Sequence, residues 1–187
     1  MTSAPAARPV TARAPMPAEI DLGDIVLRPP VAEDEAGYLA FCASDRAAQA
    51  TGLLDEREGW RRFLAMAGHW PVYGFGFWMV SAPGAGEGPG AALGFVGLHA
   101  PPFKALPELG WVLYPEAEGR GIATRAGRAA LDAARASGRF PDLASYIIEG
   151  NTRSEALAAR LGARRGRAAA HAAGVREWVY DMGGRDD

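Results

Sequence analysis

Between an apolar run at residues 109–114 and an alanine-rich helical pattern over 122–136, the chain reads Glu116-Ala117-Glu118-Gly119-Arg120-Gly121. This strand, glycine turn and helix constrain the fold more than any other segment. Two glycines one residue apart let the backbone turn tightly and direct its N–H groups outward. The helix start behind them adds unpaired N–H groups and the positive end of a dipole. Together they make a site suited to a phosphate or pyrophosphate; the plainer alternative is an ordinary strand-to-helix turn. A dinucleotide fold is not indicated, because no third glycine follows at the required spacing and no acidic residue closes a following strand. A Walker loop is excluded by the absence of Gly-Lys-Ser/Thr, and Lys104 is the chain's only lysine.

Composition narrows the class. A chain of 187 residues, 49% hydrophobic and 22% charged, can bury the core of one soluble domain. A net charge of −2 argues against a nucleic-acid binder. Cys42 stands alone, so neither an internal disulfide nor a cysteine metal site is available, and it reads as a small core residue. No apolar run is long enough to span a membrane. Residues 1–19 lack an apolar signal core and read as a disordered tail, with an organelle transit peptide as the alternative. A cytoplasmic location is expected.

Periodicity gives the element order. Strands are expected at 25–28, 75–81, 92–99, 109–114, 143–148, 164–168 and 175–182, the fifth buried on both faces. Helices are expected at 33–49, at 55–67 with Gly68 as terminator, at 122–136, and from the cap Asn151 to Leu161. The glycine- and proline-rich stretch 83–90 reads as a flexible hairpin loop. The fold class is therefore α/β, a central mixed sheet with helices on both faces. One domain is expected over 20–182, with a short tail at 183–187.

Several further segments share the order of a known family. Gly94-Phe95-Val96-Gly97-Leu98 and Glu108-Leu109-Gly110-Trp111 precede the glycine loop. Pro115-Glu116 and Ala123-Thr124 flank it. Asn151-Thr152-Arg153-Ser154, Leu157 and Leu161-Gly162-Ala163 follow, and Val26-Leu27-Arg28-Pro29-Pro30 with Ala32-Glu33-Asp34 stands at the front. The set resembles the GNAT superfamily of acyl-CoA-dependent N-acetyltransferases, in particular the branch containing the ribosomal-protein N-terminal (alanine/serine) acetyltransferases. The superfamily loop is Gln/Arg-x-x-Gly-x-Gly/Ala; glutamate at its first position, here Glu116, is usual in that branch. The resemblance runs from about Ile20 to Met182. It implies a fold whose fourth and fifth strands splay apart to admit a pantetheine arm. It also implies acetyl-CoA as co-substrate and direct attack by a primary amine without an acyl-enzyme; no metal is expected, because the three histidines lack a metal-site spacing.

Residue by residue, the resemblance makes Gly119, Arg120, Gly121, Ile122 and Ala123 the pyrophosphate site. Asn151 would bond the pantetheine arm, and Ser154 would lie near the sulfur as both a cofactor contact and a candidate acid. Both also fit a simple helix start. Many relatives carry a tyrosine acid where this chain has Ala158, so Ser154 or water must serve. Glu108 is the candidate base, with His69 and His99 as rivals; a strand-edge carboxylate is the plainer reading. The aromatic run Trp60, Trp70, Tyr73, Phe75, Phe77 and Trp78 is expected mainly in the core, with some members in the acceptor pocket. The acceptor would be a protein N-terminus, or alternatively a polyamine, aminoglycoside or amino acid. A non-catalytic acyl-CoA-binding domain is the remaining alternative. No nucleic-acid or membrane partner is expected, and the resemblance is compatible with a homodimer. Charge is divided: residues 31–60 carry seven acids against Arg46 and Arg57, and residues 119–139 carry five arginines against Asp132. If the acidic helices border the acceptor pocket, they favour cationic amines; helix-dipole placement of the acids is the alternative.

Overall fold

The computed structural model describes residues 15–50, 55–83 and 90–183. One mixed sheet of eight strands runs in the order β1-β2-β3-β4-β5-β6-β8-β7. Its strands are β1 (Ile20–Asp21), β2 (Val26–Arg28), β3 (Phe77–Ser81), β4 (Ala92–His99), β5 (Glu108–Leu113), β6 (Leu143–Ile148), β7 (Arg164–Ala168) and β8 (Val175–Tyr180). The helices are α1 (Glu35–Cys42), α2 (Asp45–Ala50), α3 (Glu56–Tyr73), α4 (Ile122–Ser137) and α5 (Thr152–Arg160). Among the described residues, no helix is long and apolar enough to cross a membrane.

Alternation along the strands fills both faces. On one side Trp78, Val80, Val96, Leu98 and Leu109 pack with Ile122, Ala126, Ala130, Leu131 and Ala134 of α4. Small alanines let this helix lie close to the sheet, and full burial of Leu131 stabilises by roughly 2 kcal/mol. On the other side Met79, Phe95, Val112 and Tyr114 meet Tyr38, Phe41 and Cys42 of α1 and Phe63 and Met66 of α3. Cys42 is thus a buried core residue, as expected.

The β5–β6 junction positions the site. These two strands are parallel, and their registered pairing is Glu108 with Ala144. Beyond that point they part. Ser145 Oγ donates to the Leu109 carbonyl at 2.5 Å and lies 3.0 Å from the Tyr180 hydroxyl. A side chain thereby satisfies a carbonyl that the diverging strand leaves unpaired. Tyr114 N–H bonds Leu93 on β4, so by two-residue periodicity the backbone groups of Trp111 and Leu113 face the gap.

Several expected boundaries move for identifiable reasons. The helix expected over 33–49 is broken, because Ser44 Oγ donates to the Phe41 carbonyl at 2.6 Å and accepts from Ala47 N–H at 3.3 Å. The helix expected to stop at Gly68 continues through Pro71 to Gly74, whose φ of 70° ends it. Tertiary bonds hold the extra turn: Trp70 Nε1–H donates to the Phe77 carbonyl, and His69 Nδ1–H to that of Phe75, each at 2.7 Å. The two-residue strand β1 was too short for a periodic signal. Of the expected tail, residues 1–14 lie outside the described residues, as do 184–187 and residues 84–89 of the expected hairpin loop. Residues 15–19 are joined to the domain. Met16 is buried in the main core, and Trp78 Nε1–H donates to the carbonyls of Pro17 and Ala18.

One local device can be tested for stability. Asp55 caps α3 by accepting from Glu58 N–H at 2.7 Å. Asp55→Ala is expected to cost about 1 kcal/mol, read as a lowered urea midpoint with an unchanged slope.

Candidate active site

Gly119 and Gly121 adopt φ of 75° and 72°, and a Cβ on either would meet nothing within 4 Å. Both requirements of an anion cradle are therefore present: a backbone that glycine adopts without strain, and open space in front of it. Arg125 N–H bonds the Gly121 carbonyl as α4 begins. The N–H groups of Ile122, Ala123 and Thr124 thus have no intrahelical partner. Gly119, Gly121, Ile122, Ala123 and Thr124 line a cleft of about 780 Å³. Arg120 is exposed and is not among the residues lining the cleft.

The loop's acidic residues divide. Glu116 faces a separate groove with Glu33, Asp34 and Tyr114. Glu118 lines the main cleft and accepts from Arg46 Nε of α2 at 2.7 Å and Arg153 of α5 at 2.6 Å. These arginines, with Arg160, are the cations of the cleft. Sequence reasoning missed them because they stand far from the loop in the chain. Three of the five arginines counted over 119–139 are engaged elsewhere. Arg125 pairs with Asp24, Arg128 donates to the Arg160 carbonyl, and Arg135 donates to the Asp181 carbonyl.

A second cavity of about 130 Å³ occupies the gap between β5 and β6. Its lining includes Glu108, Phe77, Tyr146, Asn151 and Ser154. Trp111, Val112 and Ser154 line both cavities, so the two meet there. Asn151 caps α5 through Oδ1, which accepts from Ser154 N–H at 3.2 Å. Capping uses only its oxygen, which leaves the amide N–H groups as donors. Ala158 is fully buried. Phe77 is the member of the aromatic run that lines this cavity; Phe75 and Trp78 are core, while Trp60 and Tyr73 are exposed.

At the closed end of the gap, Glu108 is ion-paired with Lys104, and His99 Nδ1 stands 3.9 Å from its carboxylate. Burial pushes the Glu108 pKa up, but His99 and Lys104 more than reverse it, so the carboxyl is held below the ordinary glutamate value. His69 touches the His99 ring at 5.5 Å, and burial depresses its pKa. His171 lies edge-on to Tyr146 at 4.7 Å, its pKa lowered by burial and then by Lys104. Among the described residues, no group of His, Cys, Asp and Glu could hold a metal ion.

Among the described residues, the acids of 31–60 stand away from the cleft and the gap cavity. Asp34 is buried against Arg28 at 2.8 Å, Asp55 caps α3, and Glu58 pairs with Arg62. The first helices instead deliver Phe41 and Arg46 to the larger cleft.

Comparison with known proteins bears on the family and the fold. The family model for the acetyltransferase (GNAT) domain matches residues 24–164. An acetyltransferase from Agrobacterium tumefaciens is 31% identical with a TM-score of 0.79, covering 87% of this chain and 93% of its own. A ribosomal-protein alpha-N-acetyltransferase (RimL) solved with coenzyme A is 13% identical with a TM-score of 0.67, over 90% of this chain and 98% of its own. A spermidine N-acetyltransferase from Vibrio cholerae, solved with CoA and spermine, is 12% identical with a TM-score of 0.66, over 86% and 96%. The last two share the fold.

Proposed function

Because the chain belongs to the GNAT family of acetyltransferases, we propose that it transfers an acetyl group from acetyl-CoA to a primary amine by direct attack. The observation that carries this reading is the meeting of the two cavities at Trp111, Val112 and Ser154, where β5 and β6 part. The larger cleft suits the cofactor. Its glycine loop and helix start offer N–H groups to the pyrophosphate. Arg46 and Arg153 neutralise Glu118 and leave one net positive charge beside it. The smaller cavity suits the amine. The Trp111 N–H faces the gap and would polarise the thioester carbonyl. Glu108 would accept the amine's proton directly or through water. Asn151 would donate to the pantetheine arm, and Ser154 or water would return a proton to the sulfur.

The proposed acceptor is a peptide N-terminus. A cavity of about 130 Å³ would favour a first residue with a small side chain, in keeping with the alanine/serine branch that the sequence resembles. Polyamines, aminoglycosides and amino acids are the competing acceptors, and a cytoplasmic location and a homodimer belong to the same proposal. The test follows free-thiol release from acetyl-CoA across peptides and small amines. Turnover with Ala- or Ser-initiated peptides supports the proposal. Faster turnover with polyamines would replace the acceptor, and binding without turnover would replace the enzyme with an acyl-CoA-binding domain.

The arginine pair gives a narrower prediction. Arg46→Ala or Arg153→Ala removes a cation and leaves the Glu118 carboxylate less compensated beside the phosphates. Each is expected to raise KM for acetyl-CoA roughly 10-fold, about 1.4 kcal/mol, at unchanged kcat. With S-acetyl-pantetheine, which lacks those phosphates, the variants are expected to match wild type. An equal loss with both donors would remove the arginines from the phosphate site.

A further inference from the structure

Nineteen of the chain's twenty basic side chains are arginine, which keeps its proton and cannot act as an amine nucleophile. The exception, Lys104, stands against two residues that line the smaller cavity, Glu108 and Tyr146. Its loop between β4 and β5 is fastened on both sides: Tyr146 OH accepts from Leu106 N–H at 3.0 Å and donates to the Leu106 carbonyl at 3.1 Å. Ala144 N–H bonds the Pro107 carbonyl. From this turn the Lys104 side chain, 14% exposed, folds back onto Glu108. Its ammonium also lies over the Tyr146 ring, 4.9 Å from the centroid. Glu108 and Tyr146 both line the acceptor cavity, whose other end is Ser154.

A primary ammonium is thus held against a carboxylate and an aromatic face, the partners an incoming amine needs for binding and deprotonation. We propose that Lys104 is an internal acceptor, and that the chain acetylates its own Lys104 when charged with acetyl-CoA. The inference rests on the acetyl-transfer reading above. Lys104 passes one proton to Glu108, and the neutral amine attacks the thioester carbonyl carbon. The C–N bond forms and the C–S bond breaks. The second amine proton accompanies the departing sulfur as free thiol, and Glu108 releases its proton to water. The product amide is uncharged, so it no longer ion-pairs with Glu108 and frees that carboxylate for an external amine.

With a single lysine the experiment has one readout. The full-length chain is incubated with acetyl-CoA carrying an isotopically labelled acetyl group and followed by intact mass and peptide mapping, which separates Lys104 from the chain's α-amino group. The expected result is one label on Lys104, formed at a first-order rate independent of chain concentration. It should be absent in K104R and slowed roughly 10²-fold in E108Q. A label that appears equally fast in urea-unfolded chain overturns the inference, because folded geometry is then irrelevant. A rate proportional to chain concentration also overturns it, because the acceptor then belongs to another molecule. Unlabelled Lys104 in a preparation that acetylates added amines removes the internal acceptor and leaves the proposed function standing. Neither label nor turnover with any amine removes both.

Discussion

Gly121→Asp is expected to lower acetyl-CoA affinity by roughly 100-fold or more, about 2.7 kcal/mol, while the domain remains folded. Three effects add. The residue would keep a φ of 72°, which a side chain adopts only with strain. A Cβ there meets no protein atom within 4 Å, so the added carboxylate enters the space assigned to phosphate. Its charge opposes an anion at the helix N-terminus. The same openness keeps the fold intact, because no core contact is displaced. Gly121→Ala separates the effects: it retains the strain and part of the bulk without the charge, and should lose far less. Calorimetry with acetyl-CoA, beside thermal unfolding of the apo-protein, checks the prediction. Unchanged affinity in Gly121→Asp would take the loop out of the cofactor site.

The glycine loop was legible because its chemistry is local. Two left-handed residues and a helix start lie within a few positions, and only glycine fills such positions without strain. The mixed sheet, α4, β6 and the Asn151 cap follow from short-range patterns in the same way. What escaped reading depends on groups far apart in the chain. Arg46 and Arg153 meet Glu118 across separations of 72 and 35 residues, and no window of sequence contains both partners. The α3 helix overran Gly68 because His69 and Trp70 find backbone acceptors at the entrance to β3, a tertiary gain that outweighs the local stop signal. The acidic run over 31–60 misled for the opposite reason. It is real as composition, yet the fold commits Asp34 and Glu58 to ion pairs and Asp55 to a helix cap. Lys104 and Glu108 were visible as a pair four residues apart, but in a loop that spacing carries no expectation of contact.

Glu108→Gln is expected to lower kcat/KM for an external amine by roughly 10²-fold with acetyl-CoA binding nearly unchanged. The substitution keeps the shape of a side chain that lines the amine's cavity, not the phosphate cleft, and it removes the basic oxygen. The pH profile supplies the sharper test. Burial raises the carboxyl's pKa, but His99 and Lys104 lower it further, so the folded value lies below the ordinary glutamate value of about 4.3. A carboxylate base works when ionised. Its activity is therefore present throughout the neutral range and is lost only as pH falls through that depressed value. If Glu108 takes the proton, the enzyme limb of the wild-type profile lies below the ordinary glutamate range and disappears in Glu108→Gln. A limb in the histidine range that survives the substitution would assign the proton to an imidazole instead. His99, 3.9 Å from the carboxylate, is then the first to test. His69 is second, because its Nδ1–H is committed to the Phe75 carbonyl and only the opposite ring nitrogen can accept. Acetylation of Lys104 bears on the same measurement. Loss of its positive charge removes one of the two neighbours that depress the Glu108 pKa, so the limb should move upward in the acetylated enzyme, toward a stronger base.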